Sequence, residues 1–178
     1  MGRLYTYGNR PNVAKQGLYL PGQFATAWGV NLNAPSVKVR SVDYEYGEIV
    51  ELSGGGNTSN AYSISRVDSG TTSFGVILRT RDGLIDMEAA IAEQPRKDQT
   101  ISVYPTAAPN YFQVAVILAE NEEPSVGDSV YVSYADGEEG SVRNDATSAT
   151  ALTNWVFASE RYKPTDGDDY VAIIQKSF

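Results

Sequence analysis

Cysteine and histidine are both missing from the 178 residues. Without cysteine there is no disulfide framework, thiolate nucleophile, iron–sulfur cluster or cysteine-ligated zinc. Without histidine the commonest general base and the commonest metal ligand are gone. A Ser-His-Asp triad, a two-histidine zinc site and a histidine-held haem are therefore excluded. Basic side chains are scarce too: 14 Lys and Arg stand against 22 Asp and Glu, a formal charge of −8. That balance disfavours nucleic acid as a partner, because binding there depends on neutralising phosphates. No apolar run approaches the ~20 residues that span a bilayer, and Met1-Gly2-Arg3-Leu4-Tyr5 has no signal-peptide core. The expectation is a chain with neither nucleic acid nor membrane as partner, folded in a cytoplasm. What remains is carboxylate chemistry, oxygen-ligand metals such as calcium, or no chemistry.

The residues present describe a globular chain. The hydrophobic fraction is 42% and the charged fraction 20%, which fits a folded domain and not a disordered one. The length fits one domain, with or without an extended arm. Tyrosine stands out, with 12 Tyr against 5 Phe and 2 Trp. Tyr favours strands and is enriched at interfaces, since its ring is buried while its hydroxyl stays bonded.

Along the chain, residues 1–35 read as an extended arm. Gly8, Pro11, Gly17, Pro21, Gly22 and Pro35 interrupt it repeatedly, and Tyr5, Tyr7, Tyr19, Phe24 and Trp28 lie between them. Such a stretch builds no regular helix, yet it is too aromatic for a plain linker. An arm lying on another surface fits both facts, and so does an arm packed back on its own domain. From residue 36 to 178 the pattern becomes β-rich. Val37–Val42 and Tyr62–Val67 alternate apolar and polar residues, as half-buried strands do. Tyr46–Leu52, Phe74–Thr80, Ile101–Tyr104, Tyr111–Leu118, Val130–Tyr134, Trp155–Ala158 and Tyr170–Ile174 complete the strand candidates. Asp86–Gln94, with Asp86 as N-cap and Pro95 as terminator, is the one short helix candidate. Short strands at roughly ten-residue spacing, separated by Gly, Pro and Asp, predict an all-β sandwich or barrel of antiparallel strands.

Carboxylates are the only catalytic acids and bases in supply. Glu120, Glu122 and Glu123 precede Pro124 and read as a polar loop, and Glu138-Glu139 follows a turn. Asp166-Gly167-Asp168-Asp169 resembles a fragment of a calcium loop but lacks the spaced oxygen ligands and the terminal Glu that an EF-hand requires. Gly54-Gly55-Gly56 has no following Lys-Ser or Lys-Thr and no strand–helix flanks, so it reads as a loop and not as a phosphate cradle. No catalytic, cofactor-binding or metal-binding residue is assigned. Basic residues group locally: Arg3 and Arg10 in the arm, Arg79 and Arg81 around a turn, and Arg96-Lys97 after Pro95. A mildly basic, aromatic arm on an acidic body is suited to gripping an acidic protein surface.

Three segments, in this order, carry a resemblance. Phe74-Gly75-Val76-Ile77-Leu78-Arg79 comes first. Pro124-Ser125-Val126-Gly127-Asp128-Ser129-Val130-Tyr131-Val132 follows, and Trp155-Val156-Phe157-Ala158 with Val171-Ala172-Ile173-Ile174 closes the set. Together they are similar to the structural cement (head decoration) proteins of tailed bacteriophages, over about residues 45 to 178. The resemblance implies a non-enzymatic virion protein on the capsid surface, assembled in the host cytoplasm. Its partners would be the major capsid protein and its own copies, as a homo-oligomer with trimer ahead of dimer. It would stabilise the mature head by bridging capsomers and need no cofactor. On that reading the capsid contacts fall on the arm, at Arg3, Tyr5, Tyr7, Arg10, Tyr19, Phe24 and Trp28, because aromatic anchors often dominate interface energy. Val130, Tyr131, Trp155 and Phe157 are expected in the core. A carbohydrate-binding or adhesion sandwich is the alternative, and it needs exposed rings converging on one concave face. A carboxylate-dependent hydrolase is a third reading, and it needs two acids converging in a pocket.

Overall fold

Alternation of apolar residues sets the architecture. The computed structural model describes residues 19–27, 36–38, 44–53, 63–79, 100–107, 112–164 and 169–177. Eleven strands lie among them. The first five are β1 (Phe24–Ala27), β2 (Ser36–Lys38), β3 (Ile49–Ser53), β4 (Ser63–Ser65) and β5 (Phe74–Leu78). The rest are β6 (Thr100–Pro105), β7 (Phe112–Ile117), β8 (Ser129–Ser133), β9 (Val142–Arg143), β10 (Ala149–Phe157) and β11 (Val171–Lys176). They form a six-stranded sheet in the order β1-β7-β11-β10-β8-β9 and a five-stranded sheet in the order β2-β6-β5-β3-β4. Every ladder between these strands is antiparallel. The fold is thus all-β and sandwich-like, as the strand pattern predicts, with no helix among the described residues. The helix candidate Asp86–Gln94 lies outside them, as do the Gly54–Gly56 loop and Asp166–Asp168.

Period-two patterning explains which residues meet between the sheets. Phe112, Val114 and Val116 on β7 point to one side, as do Val130 and Val132 on β8 and Ala172 and Ile174 on β11. They pack against Ile49, Val76, Leu78 and Tyr104 from the five-stranded sheet. Val130, Trp155 and Phe157 are buried, as the sequence implies. Tyr131 is only half-buried, because alternation between Val130 and Val132 turns it to the opposite face.

Both outer faces also carry apolar residues. Val50, Leu52, Ile77 and Val103 with Tyr46 form a second buried cluster on the five-stranded sheet. Ala25, Ala115, Val171 and Ile173 form a third on the six-stranded sheet, with Tyr19 and Tyr162 packed over it. Strands buried on both faces read as apolar runs and not as strict alternation. This is why Phe74–Leu78 is buried at all five positions.

Three strand segments escape the sequence pattern, each for a local reason. β1 falls inside the segment where Gly and Pro predict irregular chain, and it is held by pairing with β7. β9 is only two residues long. β10 begins at Ala149, well before Trp155. A bulge breaks its periodicity: Ala151 is opposite Tyr131, but Val156 is already opposite Ser129. Asn154 sits there with φ 65°, a conformation that Asn tolerates better than most residues. Leu152 and Trp155, three apart, are consequently both buried.

Candidate functional site

Residues 19–27 bridge the two sheets. Gly22 donates its N–H to the Ala115 carbonyl of the six-stranded sheet (2.8 Å) and accepts from the Arg79 N–H of the other sheet (2.9 Å). Arg79 is buried, donates Nε to the Pro21 carbonyl (3.2 Å) and lies 4.5 Å above the Tyr46 ring. It therefore fastens this segment and is not a free surface cation.

Of the sequence-predicted contact residues, Tyr19 and Phe24 lie in the described part; Arg3, Tyr5, Tyr7, Arg10 and Trp28 lie outside it. Tyr19 donates its hydroxyl to the Ala25 carbonyl (3.2 Å), and its own carbonyl accepts from the Tyr162 hydroxyl (3.2 Å). Burial pushes the Tyr162 hydroxyl well above its ordinary pKa, with the neighbouring Tyr19 adding to the effect, so it stays a donor. Phe24 stands edge-on to Tyr104 (5.9 Å) and Phe112 (5.6 Å). Both rings thus pack against the body of the sandwich.

The acidic residues separate into two groups. In the first, Glu122 is buried, which its place in a polar loop would not indicate. Its Oε1 accepts from Arg143 Nη2 at 2.9 Å, and its Oε2 accepts from the Asn144 N–H at 3.2 Å. Arg143 also reaches Asp145 (3.4 Å) and Glu138 (3.7 Å). This network holds the 119–128 loop against the β8–β9 hairpin.

The second group lines an open cleft of about 700 Å³. Glu45 and Glu48 precede β3 on one wall. Asp136, Glu138 and Glu139 come from the β8–β9 hairpin, where a turn with the Glu138 N–H on the Ala135 carbonyl (3.0 Å) projects them. Glu120 follows β7 and Asp169 precedes β11. Among the residues lining the cleft, Arg66 is the one cation.

Glu48 is 5% exposed. Its Oε2 accepts from the Glu45 N–H (2.9 Å), but its Oε1 receives no hydrogen bond. Arg66 Nη1 comes only to 3.9 Å and is shared with Glu139 at 3.6 Å. Burial pushes the Glu48 carboxyl up to about 7; the Glu45 N–H and Arg66 pull it down, while the charges of Glu45 and Glu139 push it further up. Tyr170 closes one end of the cleft, 43% exposed, with the Arg161 guanidinium 4.6 Å and the Lys163 ammonium 5.9 Å from its ring. Among the described residues no group of three or more carboxylates is placed to hold a metal ion.

A second cleft of about 540 Å³ is lined with hydroxyls, among them Thr71, Thr72, Thr106, Thr150 and Thr153. Its one ring, Phe74, is 8% exposed. Sugar stacking needs exposed rings facing one another, and this cleft supplies none.

The three segments that carry the resemblance prove structural. Gly75 lies under neighbouring strands: a Cβ there would come within 2.6 Å of Val103 Cγ1 and 2.9 Å of Leu52 Cδ1. Gly127 has φ 96° in the turn that enters β8, a conformation that favours Gly. Asp128 closes that turn by accepting from the Ser125 N–H at 2.8 Å. That bond, with one from Asn144, holds the Asp128 carboxyl below its ordinary pKa. Trp155 Nε1 donates to the Thr106 carbonyl (3.3 Å), linking the two sheets.

Taken together, these features define a two-sheet antiparallel β-sandwich with an acidic cleft at one end. The sequence matches the family described as structural cement protein (E217 gp24/Pam3 gp6) over residues 7–176, so the chain belongs to the phage structural cement proteins. The match begins at residue 7, well before the 45–178 visible from the motifs. A chain of a solved structure, "The capsid of Myoviridae Phage XM1", superimposes with a TM-score of 0.56 at 19% identity, covering 89% of this chain and 90% of that one. Comparison with curated proteins gives no match. The chain is therefore a structural protein of the phage capsid, with the virion as its place.

Proposed function

We propose that this protein binds the outer surface of the major capsid protein shell as a homo-oligomer, trimer ahead of dimer, and stabilises the mature head by bridging capsomers. The family match across residues 7–176 is the observation that carries this reading. Binding to the assembled shell and not to its separated subunits stabilises the assembly by mass action. Many copies, each touching two subunits, raise the effective affinity without any new kind of contact. No catalysis enters this role, and assembly takes place in the host cytoplasm.

The arm is the proposed contact element. Tyr19 and Phe24 already serve as its root, so Arg3, Tyr5, Tyr7, Arg10 and Trp28 carry the contact with the shell. Sedimentation with empty heads tests the reading. The purified protein alone is expected to stay in the supernatant and to pellet saturably once heads are added. Tyr5→Ala with Tyr7→Ala is expected to weaken this at least tenfold, the scale of aromatic anchors. Protein that stays in the supernatant at every concentration would overturn the proposal.

A further inference from the structure

Charge in the acidic cleft is out of balance. Seven carboxylates line it against the guanidinium of Arg66. Arg66 is divided between Glu48 at 3.9 Å and Glu139 at 3.6 Å. Glu138 lies 3.7 Å from Arg143, but Glu122 holds that guanidinium more closely, at 2.9 Å. The carboxylates of Glu120 and Asp136 have no hydrogen bond or ion pair among the described residues. A cleft lined by one sign of charge between low-dielectric walls concentrates the opposite charge.

Glu48 carries this imbalance into the interior. It is more than nine-tenths buried in the wall of the cleft, and its Oε1 receives no hydrogen bond. A buried carboxylate oxygen without a donor bears the full cost of its desolvation. Gly140 leaves room beside that oxygen, since a Cβ there would stand 3.1 Å from it. A donor entering the cleft would supply the missing bond.

The lining narrows the choice of donor. A metal ion needs several oxygens converging on one point, and no such group exists among the described residues. The acids come instead from four stretches of chain, with Ile117, Leu118, Ala119 and the Tyr170 ring as the apolar part of the lining. That combination suits a cation on an aliphatic stem, whose head meets acids while its stem lies on apolar surface. We propose that the acidic cleft binds an organic cation, a primary ammonium or guanidinium carried on an aliphatic stem. The head donates to Glu48 Oε1, with Glu120 and Asp136 drawing it in, and the stem lies against Ile117–Ala119 and Tyr170. A lysine or arginine of a neighbouring protein and a free polyamine both carry this chemistry.

Spermidine is the probe, titrated into the full-length protein at low ionic strength and pH 8, where Glu48 is ionised. Saturable shifts in 1H–15N spectra are expected, confined to residues 45–48, 117–120 and 136–141. Glu48→Gln is expected to weaken affinity at least tenfold, the scale of a hydrogen bond to a charged group. Glu120→Gln with Asp136→Asn is expected to weaken it about fivefold. Those two carboxylates hold nothing in the fold, so this arm does not depend on Glu48. Glu123→Gln, at an exposed acid outside the cleft, is expected to change it by less than about twofold. Shifts spread over the whole acidic surface, equal losses in Glu48→Gln and Glu123→Gln, or the same shifts with magnesium would overturn the proposal. Sedimentation of the Glu120→Gln/Asp136→Asn variant with empty heads separates the sources. Weaker binding to heads assigns the cation to a protein neighbour, and unchanged binding assigns it to a free amine. The spermidine titration uses the free protein, so the site stands or falls separately from binding to the shell.

Discussion

Phe112→Ala is expected to lower the unfolding free energy by about 3–5 kcal/mol, the range for removing a fully buried ring. Phe112 is 0% exposed and stands edge-on to Tyr104 (4.6 Å), Trp155 (4.9 Å) and Phe24 (5.6 Å). Those three rings come from β6 of one sheet and from β10 and β1 of the other. The substitution therefore removes the ring at which all three meet, and edge-to-face pairs add roughly 0.5–1.5 kcal/mol each beyond area burial. In a chain of this size the thermal midpoint is expected to fall by about 6–20 °C. Phe112→Leu keeps most of the volume and is expected to cost about 1–2 kcal/mol. Denaturant titration of the three proteins measures this. A loss below ~1 kcal/mol for the alanine variant would mean that the ring cluster does not hold the sheets together.

Stability is expected to fall as pH rises from about 4.5 to 7, and Glu48 is the cause. In the unfolded chain its carboxyl ionises near its ordinary value of 4.5, whereas in the fold burial raises it to about 7. Between those values the folded state binds more protons than the unfolded one, so unfolding becomes easier as pH increases. Above about 7 the buried charge costs on the order of 3 kcal/mol, given about 1.4 kcal/mol for each unit of displacement. Glu48→Gln retains an oxygen to accept from the Glu45 N–H and carries no charge. It is expected to be more stable than the natural protein at pH 8, by roughly that amount, and nearly equal to it at pH 4. Unfolding midpoints across pH 4–9 decide the matter. Parallel curves for the two proteins would show that another group carries the pH dependence.

The sandwich is legible in the sequence wherever burial follows a simple period. Val130 and Val132 enclose a half-buried Tyr131, and Phe112, Val114 and Val116 mark one face of β7. The pattern fails where three-dimensional context overrides it. The bulge at Asn154 puts Leu152 and Trp155 in one core although they are three apart. Phe24–Ala27 is a strand because β7 pairs with it, not because its composition demands one. The acidic cleft is less visible still. Glu45, Glu48, Glu120, Glu138 and Asp169 come from four separate stretches of chain, and only the topology brings them together. Glu122 shows the same limit: its neighbours mark a loop, and nothing local signals that Arg143 is folded over it. The segments that point to the family, in contrast, are turns and strand entries. Their residues are fixed by backbone geometry at Gly127 and by close packing at Gly75, which is why short sequence matches carry information there.

The measurement that bears most directly on the central claim is the thermal and osmotic resistance of phage heads with and without this protein. Heads assembled without it are expected to burst at a lower temperature and a milder osmotic shock, and adding back purified protein is expected to restore resistance. Equal resistance with and without it would contradict the account.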